Sequence, residues 1–265
     1  MEMEKQADSL VPRPVKAYKS LEFLNSPAAR TVRVLCEFIE PGVRFRKFDI
    51  QHTICFFGSS RAVPPERIKN PSQVSSQMVR LSKYYEEATE LARRLTEWSL
   101  SIPDREKRFH IISGGGPGIM EAANRGAKLA GGLSAGLNIS LPYEQIPNPF
   151  QTPELAFEFH YFFMRKFWFV YMAKAMVVFP GGFGTLDELI ELLTLVQTRK
   201  LEKELAIVIY GTDYWNEVIN FGAMVNWGVI SPEDLDLFRF CDDVDSAYEF
   251  LTAVLTQRYL QNEGG

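Results

Sequence analysis

The stretch Val177-Val178-Phe179-Pro180-Gly181-Gly182-Phe183-Gly184-Thr185-Leu186-Asp187-Glu188 decides the fold. A short apolar run passes into a glycine turn and then into a helical pattern, the order of a buried strand followed by a helix. Such a turn gathers bare backbone N–H groups at a helix N-terminus, where hydrogen bonding and the helix dipole both favour an anion. Glycine lets a ligand come close to the backbone. Gly181, Gly182, Gly184 and Thr185 are therefore candidate phosphate ligands, and Glu188 is a candidate carboxylate beside them. That pairing points to an enzyme acting on a phosphorylated small molecule. Thr185-Leu186-Asp187-Glu188 also matches a capping box, in which Glu188 would serve only the helix start. Three glycines within four positions are more than a helix start requires.

The same order recurs upstream. Phe109-His110-Ile111-Ile112 leads into Ser113-Gly114-Gly115-Gly116-Pro117-Gly118, and a helical pattern begins at Ile119. Thr53-Ile54-Cys55-Phe56-Phe57 ends at Gly58-Ser59-Ser60. Strands ending in small-residue turns fit an open parallel sheet whose ligands sit at the carboxyl ends of the strands. Gly58, Ser59, Ser60, Gly114, Gly115, Gly116 and Gly118 thus join the candidate binding residues.

The surrounding pattern alternates strands and helices. A helix over Ala28–Ile39 is expected to stop at Pro41-Gly42, and a long amphipathic helix to cover 72–99. A helix at 117–130 closes at Gly131-Gly132, followed by a strand over Leu133–Leu141. Pro153 is placed to open a helix running to about 174. A strand over Ala175–Phe179, a helix over 185–199, a strand over Leu205–Tyr210 and a short strand near Phe238–Cys241 complete the series. The expected fold is α/β, a Rossmann-like doubly wound parallel sheet flanked by helices, with an N-terminal helical extension. The expected division is a tail and helical extension over 1–50 and a nucleotide-binding catalytic domain over 51–265, with residues 1–16 a loose tail.

Composition narrows the functional classes. A formal net charge of −4, with no dense basic run, argues against a nucleic-acid polymer as partner. No apolar run is long enough to span a bilayer, and no N-terminal segment has the form of a signal peptide. Cys36, Cys55 and Cys241 have neither metal-ligand nor disulfide-framework spacing, and His52, His110 and His160 are scattered. No metal and no cofactor are expected, and a reduced, cytoplasmic setting is. The turn at 181–184 lacks the Lys-Ser/Thr of a Walker A loop. The turn at 114–118 has Ile119 where a dinucleotide fingerprint needs its third glycine. Ser113 is not in a G-x-S-x-G elbow. Arg165-Lys166 lies within Phe162-Phe163-Met164-Arg165-Lys166-Phe167-Trp168, where burial of two cations is costly. Either both reach solvent, or Arg165 faces the cleft and meets an anion or Glu188, its planar fork suiting phosphate or ribose. Glu121, just after the first glycine turn, either contacts the ligand or favours the helix start.

Gly114-Gly115-Gly116-Pro117-Gly118-Ile119-Met120, Met164-Arg165-Lys166 and Pro180 through Glu188 together resemble the LOG (Lonely Guy) family of cytokinin-activating nucleotide phosphoribohydrolases, often mislabelled lysine decarboxylases. The likeness covers roughly residues 50 to 230 and is nearest to the longer bacterial subgroup. It implies hydrolysis of the N-glycosidic bond of AMP or an N6-substituted AMP, catalytic roles for Arg165 and Glu188, and substrate contacts from Met164 and Lys166. It also implies a homodimer or higher homo-oligomer, for which the aromatic helix at 157–171 is a candidate interface. Shorter members carry His-x-Arg-Lys where this chain has Phe163-Met164-Arg165-Lys166, a departure bearing on substrate fit. The alternative is a non-catalytic carrier of a phosphorylated ligand such as molybdenum cofactor, which would share the glycine cradle without needing an active Arg–Glu pair.

Overall fold

The computed structural model describes residues 13–68, 75–142, 146–201 and 203–261. Seven parallel strands form one sheet: β1 (His52–Phe57), β2 (Phe109–Ser113), β3 (Ser134–Ile139), β4 (Ala156–Phe159), β5 (Ala173–Val178), β6 (Ala206–Tyr210) and β7 (Arg239–Cys241). Their spatial order is β4-β3-β2-β1-β5-β6-β7. The chain therefore winds outward in one direction from β1 and in the other from β5. The crevice between those two strands is where a ligand binds in sheets of this topology. This is the doubly wound, Rossmann-like α/β fold expected from the pattern.

Both faces of the sheet are covered, because alternate residues of each central strand are apolar in both directions. Ile54, Phe56, Ile111, Val177 and Val208 face a core closed by helices α3 (Ser76–Ser101), α4 (Ile119–Leu129) and α9 (Val244–Leu255). Cys55, Phe57, Ile112, Val178 and Ile209 face the opposite core. That side is closed by α2 (Arg30–Lys47), which follows the short α1 (Leu21–Asn25), by α5 (Phe162–Met172) and α6 (Phe183–Gln197), and by the short α7 (Thr212–Val218) and α8 (Phe221–Asn226). The expected tail lies largely outside the described residues, as do residues 72–74 at the expected start of α3.

Two expectations fail for identifiable reasons. The first is the stop at Pro41-Gly42: α2 runs through both to Lys47. Proline has no N–H for the carbonyl four residues back, that of Glu37. The Trp168 indole Nε1–H takes that place, donating to the Glu37 carbonyl at 2.8 Å. Gly42 is needed there because a Cβ would sit 2.8 Å from the Trp168 ring. The Glu37 carboxylate also accepts the His160 and Tyr161 amides, at 2.8 and 3.2 Å, at the entry to α5. The second is the helix from Pro153 to about 174. It is replaced by a single 3₁₀ turn (Pro153–Leu155), strand β4 and then α5. Phe157 and Phe159 are buried there while Glu158 is exposed, so the pairing with β3 selects a two-residue period. Arg44 closes that edge, donating to the Ala156 carbonyl at 3.1 Å and lying 3.9 Å from the Phe157 ring centroid.

Trp168→Phe leaves the Glu37 carbonyl without its donor and should lower stability by about 1–3 kcal/mol. In a Pro41→Ala background the new Ala amide supplies that donor. The penalty for the Trp change should then fall by about 1 kcal/mol in a double-mutant cycle read by denaturant unfolding. Strict additivity would refute the compensation.

Candidate functional site

Three turns at the carboxyl ends of β1, β2 and β5 meet in a cleft of about 1330 Å³. They are locked together by backbone. The Ser59 amide donates to the Pro180 carbonyl at 2.9 Å, and the Ile119 amide donates to the Ser59 carbonyl at 3.0 Å. Gly58 has no room for a Cβ because Ile119 lies against it. Gly118, at φ 74°, has none because the Ser59 and Ser60 backbone does. The turn at 114–116 rests on a buried polar cluster. Asn148 Nδ2 donates to the Gly115 and Gly116 carbonyls and to Asn124 Oδ1, each at 3.0 Å. Gln151 Nε2 adds a bond to the Gly115 carbonyl at 2.7 Å, and the Gly115 amide donates to Ser113 Oγ at 3.1 Å. Nothing in the pattern of residues 146–151 marked them as more than a loop; a buried asparagine reveals itself only once its partners are placed.

The turn after β5 presents a run of open amides. The Thr185 and Leu186 amides donate to the Gly182 carbonyl at 3.0 Å. The amides of Gly181, Gly182, Phe183 and Gly184 find no acceptor among the described residues. Gly182 is the N-cap of α6, so the helix starts two residues earlier than expected and Thr185 is its third residue rather than its cap. The capping-box reading therefore fails, and Glu188 is not spent on closing the helix. A Cβ on Gly181 would collide with Thr185, whereas at Gly182 and Gly184 it would meet nothing. Tyr214, from α7 (Thr212–Val218), donates its hydroxyl to the Gly181 carbonyl at 2.5 Å and braces the turn from outside.

Glu188 shares the buried face of α6 with Thr185, Leu189 and Leu192, yet it lines the cleft and is 6% exposed. Burial pushes its pKa up to about 7, against the pull of Lys166 and Arg165 and with a further push from Glu191 and Asp187. Lys166 Nζ lies 4.0 Å from Glu188 Oε2 but is bonded to Asp187 at 2.8 Å and Glu191 at 2.5 Å. Burial opposes its charge; those two bonds outweigh burial and hold its pKa above the ordinary value. Arg165 lines the cleft too, but its Nε donates to the Leu137 carbonyl at 2.7 Å rather than to Glu188. Burial lowers its pKa while Glu188 and Glu158 raise it. A Cβ at position 114 would lie 2.5 Å from Arg165 Nη2, so Gly114 makes space for the guanidinium. Met164, expected to touch substrate, does not line the cleft: its side chain is buried in the core with Trp168 and Phe169. Arg165 beside it reaches the cleft instead, because helical geometry separates adjacent residues by about 100°.

Fold and site define a Rossmann-like α/β protein with a ring of open amides beside a buried carboxyl. The family model described as "Possible lysine decarboxylase" matches residues 120–251. The chain is 26% identical over 153 residues to a protein of Oryza sativa subsp. japonica named "Probable cytokinin riboside 5'-monophosphate phosphoribohydrolase LOGL5". That match takes in 57% of this chain and 58% of the rice protein's length. Among solved structures, the protein TM1055 superposes with a TM-score of 0.50 at 19% identity, over 76% of this chain and 99% of that one. A molybdenum cofactor carrier protein from Chlamydomonas reinhardtii gives a TM-score of 0.49 at 17% identity, over 78% and 99%. These matches make the chain similar to members of the LOG family. Among the described residues, no helix is long and apolar enough to cross a membrane.

A buried carboxyl with a raised pKa favours the native state at low pH, and that contribution fades as pH rises through about 7. Glu188→Gln, neutral at every pH, should therefore be more stable than the parent by about 1–3 kcal/mol at pH 8. The gain should shrink as pH falls from 7 toward 4.5. Denaturant melts at pH 5 and pH 8 measure it; an equal effect at both would contradict the burial assignment.

Proposed function

We propose that the protein is a nucleoside 5′-monophosphate phosphoribohydrolase. It would cleave the N-glycosidic bond of AMP or an N6-substituted AMP to give free base and ribose 5-phosphate. The observation that carries this reading is the placement of Glu188: a desolvated carboxyl one helical turn beyond four open amides, in the same cleft. The phosphate sits on the amides of Gly181 through Gly184 and on the positive end of α6. The anomeric carbon then lies toward Glu188. As the C1′–N9 bond breaks, the electron pair leaves with the base and positive charge builds on the sugar. A carboxylate beside that carbon stabilises the charge and takes a proton from the water that adds to C1′; the departing base takes up one proton, so the products are neutral base and ribose 5-phosphate. A pKa near 7 leaves Glu188 ionised enough to act and basic enough to accept the proton. Arg165, anchored through Nε, keeps its two outer nitrogens for the substrate.

The decarboxylase description has no support in this site. Lys166 is held as an ammonium by Asp187 and Glu191, not as the neutral amine that a Schiff base requires. Exposed Phe162, Phe163 and Tyr171 on α5 support a homodimer. The free thiols of Cys36, Cys55 and Cys241 fit a cytoplasmic setting.

Glu188→Ala should slow adenine release from AMP by about 10²–10⁴-fold, and kcat/KM of the parent should rise with pH to a plateau above about 7. Near-normal turnover by the variant would reject the role of Glu188. Stoichiometric AMP binding with no free base, even for the parent, would leave a nucleotide-binding module.

A further inference from the structure

The cleft holds a second buried carboxylate that this mechanism does not use. Glu121 is the third residue of α4, 7% exposed, and lines the same cleft as Glu188. A glutamate at this helix position commonly reaches back to cap the amide of the residue before the helix. Glu121 does not. Its Oε1 accepts the Tyr85 hydroxyl at 2.8 Å, with Arg67 Nη2 at 3.9 Å from the same oxygen. Tyr85 is buried in the core against α4, and burial followed by Glu121 raises its pKa, so the phenol stays a donor at any working pH. The carboxylate is thereby fixed by one oxygen. The other has no protein donor among the described residues, yet it is not sealed from the cleft.

We propose that this open oxygen of Glu121 recognises the sugar hydroxyls of the bound nucleotide and sets a preference for ribo- over 2′-deoxyribonucleotides. The proposal rests on the hydrolase reading for where the sugar lies. A fixed carboxylate repels phosphate and accepts from hydroxyl or amine donors. The open amides at the other turn attract phosphate, whereas the Glu121 oxygen accepts from hydroxyls. Ser59 joins the first turn of α4 to the turn before α6, bonding Pro180 on one side and Ile119 on the other. A sugar with its anomeric carbon at Glu188 therefore has Glu121 on the neighbouring wall. A hydrogen bond to an ionised group is worth about 1.5–3 kcal/mol, or about 10–100-fold in affinity or kcat/KM.

The test compares kcat/KM for AMP and 2′-deoxy-AMP in the parent and in the isosteric Glu121→Gln. The parent should prefer AMP by about 10–100-fold. The variant should lose that factor on AMP and change by less than about threefold on 2′-deoxy-AMP, a discrimination that mere loosening of α4 would not alter. A preference retained in the variant, or one moved between bases instead of sugars, overturns the assignment. If the parent cleaves no nucleotide, the hydrolase reading fails by itself. Dissociation constants for ribose 5-phosphate and 2-deoxyribose 5-phosphate then decide this proposal independently. Equal constants in the parent overturn it, and a ratio of about 10 that vanishes in Glu121→Gln upholds it. If Glu121→Gln does not fold, Tyr85→Phe releases the tether, and an unchanged sugar preference overturns the proposal.

Discussion

Two backbone hydrogen bonds, Ser59 to Pro180 and Ile119 to Ser59, hold the ends of three separate strands in register. Everything in the cleft depends on that lock. It forces the turns so close that Gly58 and Gly118 have no space for a side chain. Similar glycine motifs thus do different physical work. Those at 58 and 118 let backbone pack on backbone, and Gly114 clears a path for Arg165. The turn at 181–184 leaves four successive amides without an acceptor among the described residues. That run is a seat for an anion at the start of α6.

The charges around that seat are arranged so that none is fully paired with Glu188. Lys166 is satisfied by Asp187 and Glu191, and Arg165 is tied to a carbonyl of β3. A direct ion pair would hold the Glu188 carboxyl low and leave a weak base. At 4.0 Å, Lys166 tempers the burial penalty without cancelling it, and burial wins. The displacement from 4.5 to about 7 amounts to roughly 3 kcal/mol of native stability forgone at high pH. Structures keep such groups where function needs the chemistry more than the fold needs the stability.

The sheet was legible because parallel strands buried on both faces read as apolar runs ending in glycine. The glycine turns, Arg165 and Glu188 were legible because small residues and charges are conspicuous among apolar neighbours. What the residues did not disclose was set by distant contacts. Pro41-Gly42 carries the correct stop chemistry, but Trp168, over a hundred positions away, supplies the missing donor. The run after Pro153 has no strong period of its own, so pairing with β3 decided it. Met164 precedes Arg165 and Lys166 directly, yet its side chain belongs to the core, which only the packing of α5 on the sheet decides. Asn148 and Gln151 looked like loop residues because a buried amide is defined by its partners, all of them remote in sequence.

The parallel topology carries one further consequence. Every helix that follows a strand here starts at the carboxyl edge of the sheet, so α4, α5 and α6 all direct their N-termini toward the cleft. Their positive ends act together on whatever lies between them. Such a field favours ionised carboxylates, and both Glu121 and Glu188 lie within the first two turns of their helices. At Glu188 burial outweighs the pull of Lys166 and Arg165 and lifts the pKa to about 7. A dianion on the open amides would add repulsion and raise the proton affinity of Glu188 further. On the proposed reading, a bound nucleotide phosphate would make the carboxylate a stronger base than it is in the empty cleft.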